Sequence, residues 1–269
     1  MNESSAVAVA QFAPGPDPVA NLEAITALAE TAVARGASLV VFPEYSSYFT
    51  PQMGQDWVDA AQSVDGQFAT GLATLSARLG IHIVAGIVES TGDPHRVSNT
   101  HLAFASGELV ATYRKIHLYD AFGQKESDWV IAGPLDAPQT FAWGGFTVGV
   151  QACYDIRFPE MTRRLVDAGA DLVLVPSEWV RGPLKESHWR TLVTARALEN
   201  TIYVAAADQA PPIGVGNSMI VDPMGVELAT VGESSGIAVA WISPERVAAT
   251  RIVNPTLVLR RFGISELST

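Results

Sequence analysis

Apolar runs of strand length, separated by stretches with helical spacing and helix start or stop signals, restrict this chain more than any other feature. Residues 6–11 form the first run and read as a buried strand. Asp17-Pro18 supplies a helix cap and a first-turn proline, Leu22, Ile25, Leu28 and Val33 fall roughly on one helical face, and Gly36 offers a stop before a second strand at 38–42. That is a β-α-β unit. A helix over 67–79 precedes predicted strands at 81–89 and 98–105, and a turn at Gly107-Glu108 leads to another at 110–113. Strand and helix alternate again through 146–152, 159–168, 171–175, 183–200 and 202–207. Short strands follow at 218–221, 227–230 and 236–242, the first two separated by the turn Asp222-Pro223-Met224-Gly225. Layered sheets covered by helices make an α/β architecture, although periodicity alone does not choose among its sandwich variants. No linker, charge block or internal repeat marks a boundary, so residues 1–269 are expected to form a single domain.

With 48% hydrophobic residues, a chain of 269 residues can bury a large core without disulfides or metal. Cys153 is its one cysteine, so no intrachain disulfide is available. The stretch Met1-Asn2-Glu3-Ser4-Ser5 lacks the basic segment and apolar run of a secretory signal, which points to a reducing cytoplasm. No apolar run approaches the ~20 residues of a membrane-spanning helix, and none of the features of a membrane protein is expected. A formal charge of −11 argues against a nucleic-acid surface, which needs clustered Lys and Arg. His, Cys and acidic residues show no metal-ligand spacing, and Gly214-Val215-Gly216 lacks the third glycine of a dinucleotide fingerprint, so neither metal nor cofactor is expected.

Three reactive residues share one kind of position. Glu44 follows the strand at 38–42, Lys115 the strand at 110–113, and Cys153 the strand at 146–152. Ligands of α/β sheets bind beyond the carboxyl ends of strands, where residues distant in sequence converge. A thiolate can attack an amide carbonyl, a carboxylate can take up the thiol proton and deliver it to departing ammonia, and an ammonium can stabilise the oxyanion. A neighbouring lysine also favours the thiolate. Each residue has an ordinary reading as well: a lone cysteine in an apolar strand is more often a small buried hydrophobe, and Lys115 beside Arg114 can be a solvated strand end. Glu44 is the most telling, because it leaves a buried run where an unpaired charge is costly.

The blocks Val41-Phe42-Pro43-Glu44, Tyr113-Arg114-Lys115-Ile116-His117-Leu118 and Cys153-Tyr154-Asp155-Ile156-Arg157-Phe158-Pro159-Glu160 resemble the nitrilase superfamily, in that family's order. The resemblance runs from Ala10-Gln11 through Ser177 and Trp179, the segment Ala195-Arg196-Ala197-Leu198-Glu199-Asn200, and Asp222-Pro223-Met224-Gly225. It implies a four-layer α-β-β-α sandwich and a Glu–Lys–Cys triad, here Glu44, Lys115 and Cys153. It also implies a second glutamate, Glu126, that orients Lys115, with a surface ion pair to Lys125 as the plainer alternative. Lys115 and the backbone N–H of Tyr154 would hold the oxyanion.

By the same resemblance the chain is expected to hydrolyse carbon–nitrogen bonds of small amides through a cysteine thioester, as in the small omega-amidase-like, nitrilase-related branch. Nitrilase, carbamoylase or acyltransferase chemistry on the same thioester, and a non-catalytic oligomeric scaffold, are the competing readings. Arg157 is a candidate anchor for a substrate carboxylate, the alternative being a structural salt bridge to Glu160 or Asp155. Tyr45, Tyr119, Tyr154 and Trp179 flank these blocks and are expected to wall the pocket. His117 and His188 are read as packing residues. Leu184, Trp189, Leu192, Val193, Ala195, Ala197 and Leu198 spread apolar character around more than one side of the helix at 183–200, so a homodimer or larger homo-oligomer is expected, with the segment 251–269 as the alternative cover.

Overall fold

The computed structural model describes residues 4–266. Residues 1–3, in the stretch inspected for a signal, and 267–269, at the end of the segment considered as a helix cover, lie outside the described residues. The chain opens with β1 (Ser5–Gln11), and the Asp17 carboxylate accepts the N–H groups of Val19 and Ala20 to start α1 (Pro18–Ala34). Next come β2 (Leu39–Val41), α2 (Gln55–Ala60), α3 (Gln67–Leu79), β3 (His82–Ser90), β4 (Val97–Ala105), β5 (Glu108–Arg114) and the short β6 (Val130–Ile131). The second half holds β7 (Thr140–Trp143), β8 (Phe146–Val150), α4 (Pro159–Asp167), β9 (Leu172–Ser177), α5 (Lys185–Asn200), β10 (Tyr203–Asp208), β11 (Met219–Val221) and β12 (Glu227–Thr230). Finally β13 (Gly236–Ile242) returns to pair antiparallel with β1, and α6 (Pro244–Val253) follows.

Two sheets result. One runs β13-β1-β2-β3-β4-β5, with β6 paired to β4; the other runs β12-β11-β10-β9-β8-β7. At the centre of each, parallel strands align their carboxyl ends: β1, β2 and β3 in the first, β8, β9 and β10 in the second.

The period-two alternation of side chains builds the layers. On β1, Val7 and Val9 pack with Leu172 and Leu174 of β9 between the sheets, while Ala8 and Ala10 meet Ile25 and Ala29 of α1 and Leu72 of α3. On β9, Val173 and Val175 face away from that centre onto Leu165 of α4 and Trp189, Val193 and Ala197 of α5. Both sheets are thus apolar on both faces, and the order is helix, sheet, sheet, helix, the expected α-β-β-α sandwich. Each large aliphatic side chain withdrawn from water stabilises this stack by roughly 1.5–3 kcal/mol before chain entropy is counted.

The elements differ from the sequence reading at their ends. The strand expected over 146–152 stops at Val150, because Cys153 opens a 3-10 turn over Cys153–Arg157. The helix expected from residue 183 begins at Lys185, since Leu184 sits at φ 63° and cannot continue a right-handed helix. Helices α2 and α6 and strands β6 and β7 were not expected. In β7 the alternation of Phe141 and Trp143, followed by Gly144-Gly145 at positive φ, is the hairpin signal that reveals it. Among the described residues no helix is long and apolar enough to cross a membrane.

Candidate active site

Glu44 enters the interior through a close backbone approach. Phe42 still pairs with β3, its N–H donating to the Val84 carbonyl, after which Pro43 and Glu44 cross Gly86. A Cβ on Gly86 would stand 2.7 Å from the Tyr45 nitrogen and 3.0 Å from Glu44 Cα, so only glycine admits this crossing. Tyr45, at φ 55°, then turns the chain away. The Glu44 carboxylate is fully buried. Its Oε1 accepts from Lys115 Nζ at 2.9 Å and Asn99 Nδ2 at 2.6 Å, and its Oε2 accepts from the Glu178 backbone N–H at 2.7 Å.

Lys115 immediately follows β5 and is 2% exposed. Its ammonium also donates to Glu126, at 3.1 Å to Oε1 and 2.9 Å to Oε2. Burial by itself would pull this lysine down, but Glu126 and Glu44, then Cys153, outweigh it and hold the ammonium well above the ordinary lysine range. Glu126 sits on a 3-10 turn (Glu126–Asp128) and is further fixed by Tyr45 Oη at 2.5 Å, Asn99 Nδ2 at 3.2 Å and the Tyr119 N–H at 2.5 Å. The alternative ion pair of Lys125 goes instead to Asp128, at 2.8 Å on the surface.

Cys153 is 5% exposed and holds φ 43°, a left-handed conformation that costs a non-glycine residue roughly 1–2 kcal/mol. Asp155 secures the turn: its Oδ2 accepts the Ala152 N–H at 3.0 Å and Tyr113 Oη at 2.5 Å, and its Oδ1 accepts the His117 N–H at 3.0 Å. The thiol points at the Glu178 carbonyl, 3.4 Å away. Burial pushes it well above its ordinary range, Glu44 adds to that, and Lys115 only partly opposes it. Lys115 does favour the thiolate, but burial and then Glu44 outweigh it. Burial and Glu44 thus favour the neutral thiol at this position.

A cavity of about 520 Å³ opens over Cys153, Lys115 and Glu126, with Tyr45, Tyr119, Trp129 and Glu178 among its walls. Tyr45 borders it but is 1% exposed and spends its hydroxyl on Glu126. Tyr119, Tyr154 and Trp179 converge on the recess beside the sulfur, together with Lys185, which the sequence reading did not single out. Arg157 makes no ion pair with Glu160 or Asp155. Its Nη2 lies 3.3 Å from His188 Nδ1, and its guanidinium carbon lies 4.8 Å from the Trp179 ring centre and 5.4 Å from that of Phe122. His188 is thus a partner of Arg157, and His117 stacks on Phe158 at 3.8 Å while bonding Asp155. Asn99, Glu178 and Lys185 are the site residues the sequence reading missed. Asn99 had a signal, a polar amide inside a strand whose neighbours are almost all buried.

The sequence pattern of the carbon-nitrogen hydrolase family matches residues 6–252, and the chain belongs to that family. It is 39% identical over 262 residues to a deaminated glutathione amidase of Escherichia coli O157:H7, covering 97% of this chain and 99% of that one. The C. elegans NitFhit protein superposes with a TM-score of 0.88 at 29% identity, over 97% of this chain but 66% of that longer one. A mutant of the amidase from Nesterenkonia sp. AN1, showing the result of Michael addition of acrylamide at its active site cysteine, superposes with a TM-score of 0.76 at 28% identity, over 95% of this chain and 100% of that one. The fold is that of the nitrilase superfamily, and the chain is a carbon-nitrogen hydrolase.

The crossing at Gly86 yields a test of this geometry. Gly86→Ala forces the Glu44-Tyr45 backbone away from β3, and a displacement approaching 1 Å at a positioned group costs up to ~10²-fold in rate. Turnover of a small amide should fall at least tenfold, with stability lowered by about 1–3 kcal/mol in urea titration. Unchanged turnover would mean that Glu44 does not depend on this approach.

Proposed function

We propose that this chain hydrolyses the amide of a small carboxylate-bearing compound through a thioester on Cys153, with release of ammonia. The observation that carries the reading is the Lys115 ammonium clasped between the buried carboxylates of Glu44 and Glu126, in electrostatic reach of the Cys153 thiol at the floor of an open cavity. The cysteine adduct of the Nesterenkonia amidase supports a nucleophilic role for the matching sulfur.

In this reading Glu44 takes the thiol proton as the sulfur attacks the amide carbon. Lys115 donates once to Glu44 and to both oxygens of Glu126; giving up the longer contact, 3.1 Å to Glu126 Oε1, frees one N–H for the oxyanion, and the Tyr154 N–H supplies a second donor. Collapse of the tetrahedral intermediate breaks the carbon–nitrogen bond while Glu44 returns its proton to the departing nitrogen. Water, deprotonated by Glu44, then attacks the thioester, and the carboxylic acid and the free thiol are regenerated. Glu126 acts through Lys115 as a positioning residue. A free thiol nucleophile operates best in a reducing compartment, which favours the cytoplasm.

The carboxylate preference rests on Arg157, a guanidinium without an acidic partner among the described residues, in a chain of formal charge −11. Homo-oligomerisation through α4 and α5 is part of the same reading. Trp189, Val193 and Ala197 are consumed by the second sheet, whereas Leu198 is 42% exposed and Phe262, beyond α6, is 90% exposed. The segment after α6 thus leaves apolar surface for a second copy to cover.

Cys153→Ala should abolish ammonia release without unfolding, and Glu44→Gln should lower kcat by at least ~10²-fold. Ammonia release retained by pure Cys153→Ala protein, assayed across small amides, would remove the thioester from the mechanism. Arg157→Ala should raise KM for an acidic omega-amide at least about tenfold more than for a neutral amide of equal length, the scale of one charged hydrogen bond. Light scattering at micromolar concentration should give a mass that is a multiple of 28.6 kDa, and the monomer mass would refute the oligomer.

A further inference from the structure

The recess beside Cys153 carries ionisable groups of both signs that have no ion-pair partner among the described residues. Lys185, 6% exposed, is held by one hydrogen bond, to Tyr119 Oη at 2.6 Å. Its ammonium lies 4.2 Å from the Phe122 ring centre and 5.4 Å from that of Trp179, the two rings that Arg157 also touches. No carboxylate among the described residues reaches ion-pair distance of either cation. Opposite in sign is Glu178, at the carboxyl end of β9, which lines both this recess and the main cavity. Its backbone is fully committed, with the N–H to Glu44 and the carbonyl to the Cys153 thiol. Its carboxyl accepts none of the hydrogen bonds found among the described residues. The segment cannot swing aside, because the Trp179 N–H donates to Asp208 at 2.6 Å and the indole N–H to the Lys185 carbonyl at 2.9 Å.

We infer that Glu178 is a specificity-determining residue that receives an ammonium group of the substrate, so that with Arg157 and Lys185 it selects the omega-amide of an amino acid, a zwitterion. This rests on the amidase reading above and narrows its substrate class. A carboxylate without a donor beside a nucleophile is unfavourable in the empty site, and burial, then Glu44 and Asp208, push it well above the ordinary carboxylate range. A bound ammonium would relieve both the missing donor and the repulsion from Glu44, while the substrate carboxylate would do the same for the two cations. A mono-anionic substrate would satisfy only the two cations and leave the half-buried Glu178 carboxyl without a donor, and a site that leaves one of its polar groups unpaired discriminates against the ligand responsible.

The test compares two probes of equal chain length, glutamine and glutarate monoamide, which differ only in the α-ammonium. The wild-type enzyme should show kcat/KM at least about tenfold higher for glutamine, and Glu178→Gln and Glu178→Ala should each reduce that ratio at least about tenfold, whatever they do to the absolute rates. A ratio that neither variant moves, or a wild-type preference for glutarate monoamide, overturns the inference. Ammonia from glutarate monoamide or from a neutral amide, with glutamine untouched, sinks this assignment alone; ammonia from none of them sinks the amidase reading with it.

Discussion

The Lys115 ammonium between Glu44 and Glu126 is the interaction on which the rest of the site depends. Burying one such charge costs several kcal/mol, and two carboxylates around one ammonium leave a formal excess of negative charge. That excess is spread over oriented donors: Asn99 Nδ2 to both carboxylates, Tyr45 Oη and the Tyr119 N–H to Glu126, and the Glu178 N–H to Glu44. These groups come from the ends of β2, β5 and β9, from the early part of β4 and from two loops. The cluster is satisfied only when both sheets are in place.

The two sheets are tied together at this point by polar contacts as well as by the apolar centre. Glu178 and Gln209, both at carboxyl ends of the second sheet, donate to Glu44 of the first, the latter from Nε2 to the Glu44 carbonyl at 3.0 Å. Asp155 works in the opposite direction. It lies in the turn that presents Cys153, yet it accepts from Tyr113 and His117, which bracket Lys115. The Asp of the Cys-Tyr-Asp block thus ties the turn that carries Cys153 to the strand end that carries Lys115 while offsetting the left-handed conformation at Cys153. A misplacement of either sheet would cost hydrogen bonds at both ends.

Electrostatics then divides the pocket. Near the sulfur, burial and then Glu44 push the thiol up, while Glu126 and Glu44 hold the lysine well above its ordinary range against the pull of burial. Nearby, Arg157 and Lys185 form a cationic island without carboxylate partners among the described residues, in a chain whose overall charge is strongly negative. The aromatic rings of Tyr119, Phe122, Tyr154 and Trp179 let those cations persist with little water, by contact with ring faces in place of counter-ions.

The amino-acid sequence by itself determined that apolar strands would be layered under helices and where the reactive residues fall relative to strand ends, while the four-layer order was legible only through the family resemblance. Short apolar runs buried on both faces, such as β1 and β9, require cover on each side, and polar reactive residues just past their ends have only the carboxyl edge to occupy. The blocks around Glu44, Lys115 and Cys153 were legible for that reason, and Glu126 was legible through its block. Tertiary structure alone decided what those residues touch. Asn99 is one polar residue in a strand until β4 lays it between two carboxylates, and Lys185 is the first residue of a helix until Tyr119, Phe122 and Trp179 close around it. Arg157 has two nearby acids in sequence and pairs with neither, because Asp155 is already spent on Ala152, Tyr113 and His117. Local pattern fixes which face a side chain occupies, while its partner and its charge state follow from which distant segments arrive there and how much water they displace.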